Sequence, residues 1–237
     1  MNYDALIEYI SSTPLIWLLV TMGSFKIGII IYEKFNKHTL LQPIIISYIL
    51  IMSILVLSGA SYEEYFKGVE IIHFFLGPAT VALALPLYNN LKHIKTLFLP
   101  IVITLIVAGV FSILIAVLFL WALDAQLPTI LSMTTKSITA PIAVITSEQI
   151  GAIPSLAVGF VLIAGIIGAL LGTAIFKIMR IKHDTSKGFA LGVVSHGIGT
   201  ARAIEISQKA GAFSALAMGL TGILTAVFLP LVIQFLR

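Results

Sequence analysis

Long apolar runs separated by short polar loops are the dominant pattern of the chain. Three runs, 97–123, 153–176 and 212–236, contain no charged residue, and each exceeds the roughly 18 residues that indicate a membrane-spanning helix. The pattern predicts eight hydrophobic elements, which are Pro14–Tyr32, Leu41–Ser58, Val69–Tyr88, Leu97–Leu123, Thr129–Thr146, Ala152–Ile178, Gly188–Ser207 and Ala212–Leu236.

Composition narrows the class to integral membrane proteins. Of the 237 residues, 59% are hydrophobic and 10% are charged, whereas soluble domains carry about 25% charged residues. We therefore expect an all-α, polytopic bundle of about seven or eight hydrophobic elements in the lipid bilayer. It would be a single transmembrane domain over 1–237, with broken or re-entrant helices and possible repeat halves at about 10–123 and 128–237. The net charge of +4 does not indicate nucleic-acid binding.

Basic residues beside the hydrophobic runs predict orientation, because Lys and Arg concentrate in cytoplasmic loops. They are Lys34, Lys37, Lys92, Lys95, Lys177, Arg180, Lys182 and Lys187. With these loops inside and the N-terminus outside, the first four elements cross the membrane in alternating directions. If Thr129–Thr146 and Ala152–Ile178 both crossed as well, the most basic loop would lie outside. We therefore expect Thr129–Thr146 to be a re-entrant or broken helix, which its internal Pro141 favours.

The two halves of the chain show weak internal similarity. One alignment matches Gly77 with Gly197, and a competing alignment with one gap places 139–159 on 200–219. Interrupted hydrophobic segments at corresponding places in two halves are typical of transporters with inverted repeats. Both alignments stay open, as does chance similarity between two apolar sequences.

The segment Ser-His-Gly-Ile-Gly-Thr-Ala-Arg places polar groups inside the seventh apolar element. Gly197 and Gly199 each weaken a helix by about 1 kcal/mol relative to Ala, which predicts a break and a new helix N-terminus near Thr200. Such an N-terminus attracts anions through its unpaired N–H groups and its dipole. Arg202, in the first turn after the break, matches a carboxylate with its planar fork. His196 is a donor to the same anion or a proton carrier.

A purely structural interpretation of the same segment stays open. In that interpretation Arg202 pairs with Glu205, three residues further along the helix, whereas in the binding interpretation Glu205 is a secondary candidate for the site. His196 is then hydrogen-bonded to a neighbouring helix and has no role in binding.

Small residues at helical spacing predict close helix contacts. Gly188 and Gly192 precede the polar segment, and Gly165, Gly168 and Gly172 lie in the sixth element. The second group is suited either to packing inside the protein or to a homodimer.

A second polar stretch lies in the third element. Pro78 removes a backbone donor and leaves the carbonyl four residues earlier unpaired, so freed carbonyls and Thr80 are candidate contacts for a solute. His73 is a secondary candidate, and otherwise a buried, hydrogen-bonded histidine. Asn89 and Asn90 are further secondary candidates, and otherwise end the helix.

A third polar stretch interrupts the fifth element. Thr139 and Pro141 have the pattern of the tip of a short half-helix, and they are candidate binding residues there. An interfacial loop is the alternative.

No residue pattern indicates an enzyme. The chain has no cysteine, and its five histidines lack the His-x-x-x-His spacing of a zinc site. A phosphate-binding loop and a Gly-x-Ser-x-Gly elbow are also absent from the sequence. We expect no catalytic residue, no metal and no cofactor.

These motifs resemble the LrgB/CidB family of bacterial membrane proteins, which are described as antiholin-like. The matching segments are 75–88, 137–143, 150–155, 195–203 and 211–219. The resemblance covers roughly residues 10–237.

The resemblance implies two functions. In one, family members regulate murein hydrolase activity and cell lysis in the bacterial plasma (inner) membrane, together with a holin-like partner of the LrgA/CidA type. In the other, relatives carry small carboxylates: pyruvate in bacteria, and glycolate and glycerate for the plastidic translocator. We expect a carrier or facilitator, because broken helices with an Arg and a His suit a binding site better than a bare pore. Arg202 would bind the carboxylate, with Thr80 and Thr139 contacting the solute from opposing segments.

Overall fold

The computed structural model describes residues 15–35, 41–82 and 84–236, and no strand occurs in these ranges. The helices are α1 Leu15–Lys34, α2 Pro43–Ser58, α3 Tyr62–Ala82, α4 Ala84–Asn89, α5 Leu91–Thr96, α6 Phe98–Ala122, α7 Leu127–Thr134, α8 Ala140–Ile150, α9 Pro154–Ile178, α10 Asp184–Ile206 and α11 Gln208–Leu236. Pro14, Lys37 and the N-terminus, on which parts of the predicted topology rest, lie outside the described residues.

The eight predicted elements correspond to eleven helices in the described ranges. Val69–Tyr88 is replaced by α3 and α4, and α3 begins earlier than predicted because Ser61 and Glu64 form a capping box. The Glu64 N–H donates to Ser61 Oγ at 3.2 Å, and the Ser61 N–H donates to Glu64 Oε2 at 2.8 Å. The short helix α5 was not predicted, since its sequence is mostly polar.

Four helices in the described ranges are long and apolar enough to cross a membrane, namely α1, α6, α9 and α11. The apolar helix α2 is shorter, with 16 residues. The regular structure of the described residues is therefore all helical, and it includes helices with the length and apolar composition of membrane spans.

The described residues form two compact units, one up to Ala82 and the other from Ala84 onwards. In the first unit, α1, α2 and α3 pack around Trp17, Leu55 and Val69, with the Tyr65 ring edge-on to Trp17 at 5.9 Å. The boundary between the units differs in position from the predicted boundary between repeat halves, and the repeat stays a prediction.

In the second unit, α10 breaks at His196. This residue has φ 41° and ψ −125° inside an otherwise helical segment. A Cβ on Gly199 would overlap the carbonyl oxygen of Leu191, which precedes the break. Two residues so far apart in sequence cannot touch in a straight helix with a rise of about 1.5 Å per residue. The chain therefore folds back, and we call residues 184–195 the first arm and 197–206 the second arm of the α10 hairpin.

The contacts with α11 give the direction of each arm. In chain order they are Gly188 with Ala210, Gly192 with Ser214, Thr200 with Ser214, and Ile204 with Gly211. Along the first arm, later residues contact later residues of α11, so this arm is parallel to α11. Along the second arm, later residues contact earlier residues of α11, so this arm is antiparallel to it. The two arms are therefore antiparallel, and α10 enters the second unit and returns to the end from which it came.

Helices α7 and α8 form a second hairpin, which confirms that the predicted element Thr129–Thr146 is interrupted. Residues 135–139 connect the two helices. Ile138 and Ala143, near the connection, belong to one buried cluster, and Leu131 and Ile150, further away, belong to another. This order makes the two helices antiparallel, so the connection is the tip of an α7–α8 hairpin.

The chain then turns directly from α8 into α9. Gly151 ends α8 in the left-handed region, with φ 75°, a conformation that glycine adopts without steric cost. The Ile153 N–H donates to Ser132 Oγ at 2.9 Å, which fixes the start of α9 beside α7. The α7–α8 hairpin therefore opens at the end of the unit where α9 begins, whereas the α10 hairpin opens at the end where α9 finishes.

One face of α9 carries glycines that pack against the α10 hairpin. Gly165 faces the His196 ring, Gly168 faces Ser195 and Gly172 faces Leu191. A Cβ at any of these three glycines would lie closer to its neighbour than packed atoms allow. These glycines thus serve packing inside the unit, and a homodimer stays a prediction.

Gly188→Ala should destabilise the protein in detergent by about 1–3 kcal/mol, the usual penalty of overpacking. The added methyl group would overlap the backbone of Ala210, which has little freedom to move. The unfolding temperature measures the effect. Gly219→Ala in α11 is the control, since nothing lies within 4 Å of its Cβ position and Ala favours a helix by about 1 kcal/mol. An equal or higher unfolding temperature for Gly188→Ala would contradict the α10–α11 contact.

Candidate functional site

The tips of the two hairpins meet on one residue of α9. The Val161 side chain packs with Ile138 and Ala143 of the α7–α8 hairpin. The Val161 carbonyl oxygen lies 2.9 Å from Nε2 of His196, the residue at the tip of the α10 hairpin. Because the hairpins enter from opposite ends of the unit, their tips bring two interrupted helices together in its interior.

Buried hydroxyl groups hold the tip of the α10 hairpin. Thr200 Oγ1 donates to the His196 carbonyl oxygen at 2.8 Å. Ser214 Oγ lies 2.9 Å from Thr200 Oγ1, and it is the donor when the single Thr200 hydrogen is used for His196. These two hydrogen bonds support the non-helical backbone conformation of His196, which costs a residue other than glycine about 1–3 kcal/mol. Such strain persists only where the surroundings fix it, and it is concentrated at functional sites.

The predicted break is confirmed, but it lies earlier than predicted. The non-helical residue is His196 and not a position near Thr200. Gly197 borders open space, whereas Gly199 is buried against the first arm. Gly199 is therefore needed for the close approach of the two arms rather than for a left-handed backbone.

Arg202 lies in the second turn of the second arm, one turn further from the break than predicted. It forms an ion pair with Glu205, and the side chains are 15% and 43% exposed. This pair and the His196 hydrogen bond are the two contacts of the purely structural interpretation. Both are present together with the broken helix, so the geometry contains the elements of both interpretations.

Thr139 and Pro141 lie at the start of α8, as predicted for the tip of a half-helix. Thr139 is the N-cap residue and is half-buried, and its side chain makes no capping hydrogen bond. Pro141 is exposed in the first turn. The N-terminus of α8 is therefore not capped by its own threonine.

The remaining candidates come from the earlier part of the chain. Pro78 lies inside α3 and is exposed, and the side chains of His73 and Thr80 lie outside the described part of the structure. Asn89 ends α4, and Asn90 precedes α5, as expected for residues that end a helix. Because residues up to Ala82 belong to the first unit, the contribution of Thr80 to the site stays a prediction.

Sequence reasoning did not single out Lys136. This residue lies at the tip of the α7–α8 hairpin, half-buried, and its ammonium group donates to Ser112 Oγ of α6 at 2.5 Å and to Ser137 Oγ at 3.3 Å. An ionisable residue at membrane depth is a functional-site candidate by itself. The sequence does show a single lysine inside the predicted element Thr129–Thr146. It did not stand out, because the neighbouring Ser and Thr residues make that stretch polar as a whole.

The fold and the two opposed hairpins define a helical membrane protein with interrupted helices, whose tips meet beside a polar centre formed by the buried residues Ser195, His196, Thr200 and Ser214. The family model described as "LrgB-like family" matches residues 21–235. The chain therefore belongs to the LrgB-like family.

Among known relatives, the "Antiholin-like protein LrgB" of Bacillus cereus (strain B4264) is 30% identical over 224 residues, which are 94% of this chain and 97% of that protein. The protein of the same name from Bacillus anthracis (strain A0248) has the same identity and coverage. No solved structure matches the chain.

His196→Gly should be more stable than His196→Ala by about 1–2 kcal/mol, because only glycine adopts φ 41° without strain. Both variants lose the imidazole hydrogen bond, so the difference between them reports the backbone alone. Thermal unfolding in detergent measures it. At an ordinary helical position the order is reversed, and Ala201→Gly in the second arm should lower stability by about 1 kcal/mol. A His196→Ala variant as stable as His196→Gly would mean that α10 is not broken at this residue.

Proposed function

We propose that this protein is a membrane carrier or facilitator for small monocarboxylates such as pyruvate, glycolate or glycerate. We further propose that it works in the bacterial plasma membrane with a holin-like partner. The observation that supports the proposal is the meeting of the two hairpin tips on Val161. Interrupted helices that meet near the middle of the membrane are the usual construction of substrate sites in secondary transporters.

The polarity of the half-helices suits an anion. Both α8 and the second arm of α10 begin at the hairpin tips, so their positive dipole ends point to the same interior region. Free N–H groups at such ends bind carboxylates. The Thr139 side chain does not cap α8, which leaves those N–H groups available to a solute.

Arg202 and His196 are the predicted solute-binding side chains. In this structure the Arg202 guanidinium is paired with Glu205, whose carboxylate is exposed. Because the Arg202 side chain is only 15% exposed, we expect its guanidinium to need a carboxylate partner, which a bound solute would supply in place of Glu205. The His196 ring is held by Val161, and the same bond would couple its orientation to the tip of the other hairpin.

A second function is favoured by a different observation. The relatives from both Bacillus species are named antiholin-like. As an antiholin-like regulator of murein hydrolase activity and cell lysis, the chain would act through contacts with a holin-like partner and would transport nothing itself. Changes on its lipid-facing and partner-facing surfaces would then matter more than changes at His196 and Arg202.

The pure protein in liposomes should take up labelled pyruvate with saturable kinetics, since a carrier has a limited number of binding sites. Arg202→Lys should reduce uptake about tenfold or more, because a point charge replaces the bidentate fork. Initial uptake rates with and without a holin-like partner are the measurement, with glycolate and glycerate as alternative solutes.

Arg180→Lys is the matched control, because Arg180 is exposed after α9. Normal uptake by Arg202→Lys would remove Arg202 from carboxylate binding. A lack of saturable uptake for all three solutes, with the partner present, would favour the antiholin-like function.

The basic end of the second unit, which carries Lys177, Arg180, Lys182 and Lys187 around the end of α9, should face the cytoplasm. The chain contains no cysteine, so single introduced cysteines report sidedness. A membrane-impermeant maleimide added to intact cells should label Gln126→Cys but not Lys182→Cys, whereas a permeant reagent should label both. Labelling of Lys182→Cys alone from outside would invert the orientation.

A further inference from the structure

Lys136 is a cation without a carboxylate partner in the described structure. Its ammonium group contacts the hydroxyl oxygens of Ser112 and Ser137, and the ion pairs found among the described residues involve other side chains. Arg202 differs, because Glu205 already neutralises it. A charge without a carboxylate partner at membrane depth is costly, and such a residue is a functional-site candidate.

The position of Lys136 along the membrane normal follows from its partner on α6. Ser112 lies about 21 Å from Phe98 and about 15 Å from Ala122 along the helix, at about 1.5 Å per residue. Helix α6 is long enough to span the membrane. The ammonium group bonded to Ser112 is therefore near the middle of the apolar layer.

A groove lies between α6 and the first arm of α10, along the face of α6 that also carries Ser112. It has a volume of about 330 Å³, and the residues that line it include Pro100, Thr104, Ala108, Thr185, Ser186 and Val194. The groove begins where both helices begin, at the basic end of the unit. Ala108 and Val194 are the lining residues of α6 and α10 furthest along the chain from that end, and Ser112 is one helical turn beyond Ala108 on the same face of α6, about 6 Å further.

We propose that Lys136 pairs with the carboxylate of the carried solute in addition to Arg202, and that the α6–α10 groove is the route by which the solute reaches Lys136 from the basic end. This inference rests on the proposed carrier function and names the charge that its site uses. A single cation without a partner balances a single negative charge, which favours a monoanion over a dianion. The mainly apolar groove wall, with hydroxyl groups at Thr104, Thr185 and Ser186, suits a small organic acid with an apolar body and a hydroxyl or keto group.

Lys136→Met tests the role in uptake. Loss of a hydrogen bond to a charged group corresponds to about a 10- to 100-fold weaker apparent affinity, so the KM for labelled pyruvate should rise by that factor. Lys136→Arg keeps the charge and should retain more affinity than Lys136→Met. Lys34→Met, at an exposed lysine of α1, is the matched control and should behave as the unchanged protein does.

Folding is checked separately from binding. Lys136→Met should have an unfolding temperature equal to or above that of the unchanged protein, because it removes a charge from an apolar environment. If Lys136→Met does not fold, Lys136→Gln carries the test with the same expected rise in KM, because it removes the charge and keeps a hydrogen-bond donor for Ser112. An unchanged KM in every folded variant would overturn the role of Lys136 and leave the carrier function in place.

Protection of an introduced cysteine tests the groove without transport. Pyruvate should slow maleimide labelling of Thr104→Cys, and the protection should require Lys136, so it is lost in the double variant with Lys136→Met. Lys182→Cys, in the exposed loop after α9, should be labelled equally with and without pyruvate. Acetamide, which is uncharged, should not protect position 104.

The two measurements separate the inference from the proposed function. Protection that depends on Lys136 in a protein that transports no carboxylate would support the anion site and overturn the carrier. Normal transport by Lys136→Met, with no protection at position 104, would support the carrier and overturn the anion site at Lys136. Absence of both transport and protection would overturn both.

Discussion

The close packing of the first arm of α10 between α9 and α11 is the constraint on which the rest of the second unit depends. Gly165, Gly168 and Gly172 remove side chains from the α9 side of the contact, and Gly188 and Gly192 do so towards α11. Helix association in a membrane relies on such close approach, because lipid supplies no hydrophobic driving force between helices. With larger residues the hairpin would not fit, and His196 would not reach the Val161 carbonyl.

Irregular backbone at membrane depth must be covered by protein or water, and the two hairpins satisfy this condition for each other. The strained turn at His196 is supported by Thr200, Ser214 and Val161. In the interruption between α7 and α8, the buried side chain of Ile138 packs in a cluster with Ala143 and Val161, which shields this part of the chain. Each tip thus needs α9 in its observed position, which is why an interior polar centre can exist between otherwise apolar helices.

The two functions considered for this LrgB-like protein depend on different parts of the structure. A carrier needs the polar centre itself, including Lys136 and the free ends of the half-helices. An antiholin-like regulator needs mainly the outer helical surfaces, and the centre would then serve only stability. Lys136 bears on this choice, since a cation whose described contacts are hydroxyl groups adds nothing to stability that an apolar residue would not.

The sequence alone determined the membrane class, most helix positions and the presence of breaks in two elements. These features are local, because long apolar runs, a proline such as Pro141 and two glycines close together, Gly197 and Gly199, are recognisable in the sequence without knowledge of the fold. The family also followed from the sequence, since its motifs are contiguous.

Only the tertiary structure decided where the α10 break lies and what meets there. The turn falls on His196 because contacts with α9 and α11 stabilise a conformation that glycine would adopt more easily. The importance of Lys136 likewise depends on Ser112, which is distant in sequence and becomes its partner through the packing of α6 against the hairpin tip. Contacts between residues far apart in the chain leave no periodic signal, so the sequence predicted interrupted helices but not the residues that they bring together.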